Sequence, residues 1–246
     1  MFDYDRIAAE YARHRRIHPE VLRRLADGLL ATAKVLEVGC GTGNYLIAIR
    51  ELVGCSCWGS DPAREMLAQA RARSEQVQLL QGKAERLEFP DGHFDLVFSV
   101  DVIHHVGDRG RSFREAWRVL RHGGRSCTVT DSEWVIRNRQ PLAAYFPETI
   151  EVDLARYPRI EELRAGMQEA GFADVAEEMV EFAYEVCDIG PFQDKPFSCL
   201  RLIQEDAFRR GIERMEQDLR AGPIAGISRY TLVWGVKPLT SSHRGT

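Results

Sequence analysis

Val35-Leu36-Glu37-Val38-Gly39-Cys40-Gly41-Thr42-Gly43-Asn44 reads as a short buried strand that ends in a carboxylate and breaks into a tight glycine turn. Behind it, Tyr45-Leu46-Ile47-Ala48-Ile49 can open a helix. Glycines at alternate places, Gly39, Gly41 and Gly43, let the backbone approach a flat or extended ligand where any Cβ would collide. A dinucleotide fingerprint needs Gly-x-Gly-x-x-Gly, with its third glycine packing helix against strand. Counted from Gly39 and Gly41, that third place is Asn44. The spacing therefore argues against a nicotinamide dinucleotide.

Outward from this turn the chain alternates strand and helix. Strand 34–38 leads to a helix over 43–52, strand 55–60, and a helix opened by Pro62 with Met66, Leu67 and Ala70 facing inward. Strand 77–81, a turn at Pro90-Asp91-Gly92 and strand 94–100 follow. The spacing of Phe113, Ala116, Trp117 and Leu120 predicts a helix over 111–121 that stops at Gly123-Gly124, before strand 125–131. A helix over 160–170 and strands 174–186 and 228–237 complete the series. This order predicts an α/β fold: a Rossmann-like, doubly wound, mostly parallel seven-stranded sheet with an antiparallel edge strand.

Residues 1–30, helical with a break at Pro19, and the segments 132–158 and 187–222 fall outside that rhythm. The latter two are rich in aromatic and apolar residues, and long insertions of this kind are often lids or binding elements. Together with residues 1–30 they are expected to form a helical cap over the carboxyl ends of the strands, where open α/β sheets bind ligands. The reading is one domain over 1–246, with a core at 31–131 and a disordered tail at 239–246.

A net charge of −4 with a pI near 6.0 leaves no electrostatic footprint for nucleic acid or an anionic membrane. No apolar stretch approaches the roughly 18 residues of a membrane span. The start, Met1-Phe2-Asp3-Tyr4-Asp5, shows no secretory signal, so a cytoplasmic protein is expected. Cys40, Cys55, Cys57, Cys127, Cys187 and Cys199 lack CxxC spacing and read as reduced, largely buried thiols, with no metal site. Cys55 and Cys57 should share one strand face. A chain of this size can be a monomer or a homodimer.

Four signals recur at the carboxyl ends of successive strands. The first is the Glu37–Gly43 turn, and the second is Asp61, whose two carboxylate oxygens match a vicinal diol. The third is Gly82-Lys83-Ala84-Glu85, and the fourth is Ser99-Val100-Asp101-Val102-Ile103-His104-His105-Val106. With these in view, residues 35–130 resemble the S-adenosylmethionine-binding core of the class I, type 11 methyltransferases, which include ubiquinone and menaquinone biosynthesis enzymes. Phe94–Phe98 resembles the family's fourth-strand motif, and Phe113–Gly124 its next helix and glycine turn. Phe2–Pro19, with Tyr4, Tyr11 and Arg15, is similar to the segment that closes over the cofactor, and Ile160–Val175 resembles a late helix ending in Gly-Phe.

The resemblance implies S-adenosylmethionine as cofactor and S-adenosylhomocysteine as product. It implies that Glu37 and the backbone at Gly39, Cys40 and Gly41 hold the amino-acid half, and that Asp61 takes the ribose. Ala84 and Glu85 then meet the adenine, with Pro62 and Met66 beside adenine or ribose, and Ser99, Val100, Tyr11 and Arg15 as further contacts. Lys83 stands where many relatives carry Asp, which removes an expected contact to the adenine amine.

Methyl transfer from a sulfonium is an in-line displacement, needing a dry pocket, alignment and sometimes a base rather than a covalent nucleophile. His104 or His105 is the candidate base, since a nearby cation favours the neutral imidazole. The same histidines could instead pack against the following helix. Trp134 and Tyr145 are candidate acceptor contacts, while Asp101, Glu133 and Tyr145 are further candidate bases. The acceptor expected is a small molecule, because the cap is aromatic and no basic groove is apparent. Two alternatives stand beside this enzyme: a non-catalytic S-adenosylmethionine-binding regulatory or partner protein, and a nicotinamide-dependent oxidoreductase.

Overall fold

Val35 and Leu36 point to opposite faces of the central strand, and both are fully buried. Such two-sided burial is what a parallel strand covered by helices on each face requires. The computed structural model describes residues 16–195 and 197–239. Tyr4, Tyr11, Arg15 and the tail from 240 onward lie outside the described residues. In chain order the strands are β1 (Lys34–Val38), β2 (Ser56–Asp61), β3 (Gln78–Gln81), β4 (Phe94–Val100), β5 (Leu120–Thr130), β6 (Ala173–Val186) and β7 (Ile224–Val236). They form one sheet in the order β3-β2-β1-β4-β5-β7-β6. The first five run parallel, and β7 inserts between β5 and β6, antiparallel to both. That makes the expected antiparallel edge. Strand order reverses between β1 and β4, so their carboxyl ends flank a crevice.

The principal helices are α1 (Pro19–Ala26), α2 (Asn44–Val53), α3 (Arg64–Arg73), α4 (Arg109–Val119), α5 (Glu133–Arg137), α6 (Leu142–Tyr145), α7 (Glu148–Leu154), α8 (Ile160–Glu169), α9 (Gly190–Gln193) and α10 (Glu205–Leu219). On one face of the sheet, Val21, Leu25, Leu46 and Ile49 from α1 and α2 meet Val35, Leu96, Phe98 and Val129. On the other, Phe113, Val119, Leu163 and Met167 from α4 and α8 meet Leu36, Val38, Val97 and Val233. Each such side chain contributes about 1.5–3 kcal/mol by leaving water.

Segments 132–158 and 187–222 come together in a third apolar cluster, with Phe146, Phe192, Leu200, Phe208 and Met215 packed on the ends of β6 and β7. Gly211 makes this possible: a Cβ there would lie 2.2 Å from the Phe146 ring and 2.7 Å from the Tyr145 carbonyl. The cap is thus closed by a backbone-to-ring approach that no other residue allows.

Boundaries differ from the sequence reading at α4, which ends at Val119 so that Gly123-Gly124 fall within β5, and at β7, which begins at Ile224 rather than at 228. Helix α4 starts earlier, at Arg109, because Asp108 accepts from the Arg111 amide at 2.8 Å and caps it. Strand β5 begins at Leu120, which pairs with Phe94 ahead of a register shift.

The end of α4 is closed from the far side of the chain. Lys237, which is buried, donates from Nζ to the carbonyls of Trp117 (2.9 Å) and Leu120 (2.8 Å), with its ammonium 3.9 Å from the Trp117 ring centre. A cation on terminal helix carbonyls makes charge-assisted bonds and complements the helix dipole. Lys237→Met is therefore expected to lower stability by about 1.5–3 kcal/mol, read by urea unfolding. A loss within experimental error of zero would show that water replaces the ammonium without cost.

Candidate functional site

All three glycines of the first turn adopt left-handed backbone, with φ of 72° at Gly39, 52° at Gly41 and 75° at Gly43. The turn folds over the end of β2, where the Gly39 and Cys40 amides both donate to the Ser60 carbonyl at 2.7 and 3.1 Å. At Gly39 the left-handed backbone and crowding act together: a Cβ would lie 2.3 Å from the Val102 side chain. Only glycine lets the loop after β4 close on the turn after β1.

Asp61, buried at the end of β2, fastens this turn to the next helix. Its Oδ2 accepts from the Gly41 amide and its Oδ1 from the Ala63 amide, each at 2.8 Å. Glu37 is also buried, and accepts from the Leu46 amide at 3.0 Å. Gly43, the residue before α2, has no side chain to cap it, so Glu37 supplies the missing acceptor from the preceding strand. Burial holds the Glu37 carboxyl well above its ordinary range, against the bond from Leu46 and with the neighbouring Asp61 charge adding to the rise.

The remaining expected cofactor contacts divide by exposure. Cys40 is buried, its thiol pushed up by burial and by the charges of Glu37 and Asp61. Met66 faces the core from α3, whereas Pro62 is exposed and its carbonyl accepts from Gln81 Nε2 at 2.9 Å. Ala84 and Glu85 are half-buried in the turn after β3, and Glu85 accepts from the Gly107 amide at 3.1 Å. Lys83 is exposed on the same turn. Arg118 on α4 pins the following loop, donating to the Phe89 and Leu87 carbonyls at 2.8 and 2.7 Å. Ser99 and Val100 are half-buried at the tip of β4. Beneath the tips, Ala84, Ser99, Val102 and Phe113 border a void of about 20 Å³, room for a water rather than a nucleoside.

Asp101 stands at a φ of 56°, an uncommon conformation for a residue with a side chain. It is held there from β7, where the Tyr230 hydroxyl donates to Asp101 Oδ2 at 2.8 Å. The Tyr230 ring meets His18 edge-on, with centroids 5.6 Å apart. His18 Nδ1 accepts from the Val21 amide and so caps α1, which assigns Nε2–H as donor to the Ser228 carbonyl at 3.2 Å. Tyr230 and His18 connect the start of the described chain to the tip of β4, and nothing in their local sequence marks them.

His104 and His105 occupy a short 3₁₀ turn, Ile103–His105, just beyond β4. His105 is pushed down to about 4 by burial first and then by the Arg156 charge, with Asp153 opposing. It is therefore a neutral imidazole near neutral pH. Facing the pair is a group of cap residues that motif reading did not single out. Arg139 bridges Asp131, at the end of β5, and Asp153, on α7. Arg156 pairs with Asp153 at 2.8 Å and donates to Ser198 Oγ at 3.0 Å. Asp131 obeys the strand-tip logic that located the other groups. The rest lie in aperiodic cap sequence.

Of the two aromatic acceptor candidates, Trp134 is exposed on α5 beside the end of β5, with the Arg229 guanidinium 5.4 Å from its ring centre. Tyr145 lies in the cap's apolar cluster and donates to Asp218 Oδ2 at 2.5 Å. Burial, then that carboxylate, pushes its phenol up to about 12. Glu133, the third weak base candidate, faces outward to Arg159. Cys55 and Cys57 do share a face, with sulfurs 3.6 Å apart, and both are buried. Cys187 is the exposed exception to the buried-thiol reading. Among the described residues no helix is long and apolar enough to cross a membrane.

Comparison with known proteins agrees with this geometry. Residues 36–128 match a family model described as a methyltransferase domain, of type 11. The chain is 27% identical to a demethylmenaquinone methyltransferase of Anoxybacillus flavithermus, over 76% of this chain and 90% of that protein. It is 32% identical to a Mycobacterium tuberculosis protein named as a candidate S-adenosylmethionine-dependent methyltransferase, over 65% of this chain and 56% of the relative. Among solved structures, a candidate methyltransferase of an antibiotic biosynthesis pathway from Anabaena variabilis superposes with a TM-score of 0.71 at 23% identity. That match covers 89% of this chain and 98% of the other. A left-handed glycine turn clamped by Asp61 lies at the switch point of this sheet, and the match laid over the same strands identifies residues 36–128 as a methyltransferase domain of type 11.

Proposed function

We propose that the crevice between the ends of β1, β2 and β4 binds S-adenosylmethionine, and that the protein transfers its methyl group to a small organic acceptor. The observation that carries this reading is the Asp61 clamp on the left-handed Gly39–Gly43 turn. The donor set fits the cofactor. A carboxylate has about four acceptor positions, so serving the Gly41 and Ala63 amides is compatible with accepting from a vicinal diol as well. The turn also brings backbone to the ligand with no Cβ in the way.

When bound, S-adenosylmethionine supplies a methyl group on a sulfonium, open to in-line displacement. The chain's part is to align, exclude water and manage a proton. The proposed cofactor contacts are Glu37, Gly39, Cys40, Gly41, Asp61, Pro62, Ala84, Glu85, Ser99 and Val100, with Met66 acting through the packing of α3. Where the acceptor carries a proton, neutral His105 or His104 takes it onto an imidazole nitrogen. The cap, in which Tyr145 is a packing residue and Trp134 a surface one, keeps the reacting centre dry. A small, uncharged or weakly charged acceptor is favoured because Arg139 and Arg156 are already matched by Asp131 and Asp153.

Calorimetry with S-adenosylhomocysteine and with NADH tests the reading on the full chain. Saturable one-to-one binding of the former, and none of the latter, is expected. The reverse preference would return the oxidoreductase reading, and binding without methyl transfer across a broad acceptor panel would favour a regulatory protein.

A further inference from the structure

The cap meets the tip of β4 through a stack of rings. Tyr157, just after α7, lies face to face with His104, their centroids 4.0 Å apart and their planes 18° from parallel. His104 in turn meets His105 at 3.9 Å and 48°. The guanidiniums of Arg139 and Arg156 stand 5.6 and 5.9 Å from the same tyrosine ring centre, within cation–π reach. Both are tethered to Asp153 and neither can drift from the ring without breaking an ion pair. Three rings and two cations therefore form a ladder from the cap into the 3₁₀ turn.

A histidine side chain has two rotatable torsions, the first confined to staggered wells and the second broad. Stacking selects one orientation of the ring, because a parallel neighbour at this distance permits only rotamers that keep the planes together. We propose that Tyr157 is a positioning residue: by stacking on His104 it holds the His104–His105 pair at the tip of β4, shielded from water, where the methyl acceptor is to react. The placement of the acceptor rests on the cofactor-site reading above, whereas the ladder itself does not. The depressed basicity of His105 agrees with such shielding, and the groups facing it are Arg156 and Asp153 from the cap and His104 beside it.

The ladder can be read without an acceptor, by proton–carbon NMR of the full chain labelled in its histidine rings. His104 and His105 are assigned from His104→Gln and His105→Gln. In the wild type the His104 ring proton should be shifted upfield by the tyrosine ring current, and His105 should not titrate between about pH 5 and 8. Tyr157→Phe should keep both signatures. Tyr157→Leu should abolish the ring-current shift and raise the His105 midpoint by at least about one pH unit, the direction that admitting water dictates. Loss of both signatures in Tyr157→Phe would overturn the proposal, as would their persistence in Tyr157→Leu. Should the leucine variant fail to fold, the wild type decides: a His104 proton at its random-coil position shows that no stack exists. S-adenosylhomocysteine calorimetry on the same samples separates the two ideas. A stacked His104 in a protein that binds no S-adenosylhomocysteine leaves the ladder standing and removes the methyltransferase site.

Discussion

Arg139→Met should cost the folded protein about 3–5 kcal/mol, the range for removing one partner of a buried ion pair. For a chain of this length that corresponds to a fall in Tm of roughly 6–20 °C. The reason lies in what is left behind. Asp131 and Asp153 are both buried, and Arg139 lies between them. Methionine keeps much of the volume but leaves two carboxylates close together, with Arg156 still paired to Asp153. Much of the desolvation of Asp131 then goes uncompensated.

A triple variant shows whether charge or shape is responsible. Combining Arg139→Met with Asp131→Asn and Asp153→Asn removes both carboxylates and leaves only Arg156, which is partly exposed, without its ion pair, so part of the loss should be recovered. The interaction energy in this cycle should be large, because the three residues share one network. Differential scanning calorimetry supplies the measurement. An Arg139→Met protein melting within about 2 °C of the wild type would mean that water reaches the triad and screens it.

This triad also marks where sequence reading stops. The glycine turn could be read because left-handed backbone at Gly39, Gly41 and Gly43 demands a particular residue, and the demand is local. The sheet could be read because burial on both faces gives β1 and β4 mainly apolar runs, interrupted by Glu37 in one and by Asp95 and Ser99 in the other. Asp61 could be found because strand-tip positions are countable along the chain.

By contrast, Asp131, Arg139 and Asp153 meet only after the cap has folded, and no period in 132–158 places them on one face. Glu37 illustrates a different limit. Its residue type and position point to the site, yet its visible bond is to the Leu46 amide, a capping contact that depends on how α2 docks. Tyr145 was singled out for its residue type, and the packing of α6 against α10 turns it into the cap's apolar cluster. Lys237 caps a helix more than a hundred residues earlier, which only the β5–β7 pairing brings within reach.

Asp61→Ala should weaken binding of S-adenosylhomocysteine by roughly 2–4 kcal/mol, since hydrogen bonds to a charged group are worth about 1.5–3 kcal/mol each. That is about 30- to 1,000-fold in Kd. The bare loss is ambiguous, because Asp61 also holds the Gly41 and Ala63 amides, and a slackened turn would weaken any ligand. The 2′-deoxy analogue of S-adenosylhomocysteine resolves this. If the carboxylate accepts from the ribose hydroxyl, the wild type should lose affinity for the deoxy ligand while the alanine variant scarcely distinguishes the two. If Asp61 serves only the turn, both proteins should suffer the same penalty on removing that hydroxyl, and the coupling between residue and ligand vanishes. A coupling of zero, in a variant whose circular dichroism is unchanged, would move the ribose contact to another residue and leave Asp61 as the clamp that shapes the glycine turn.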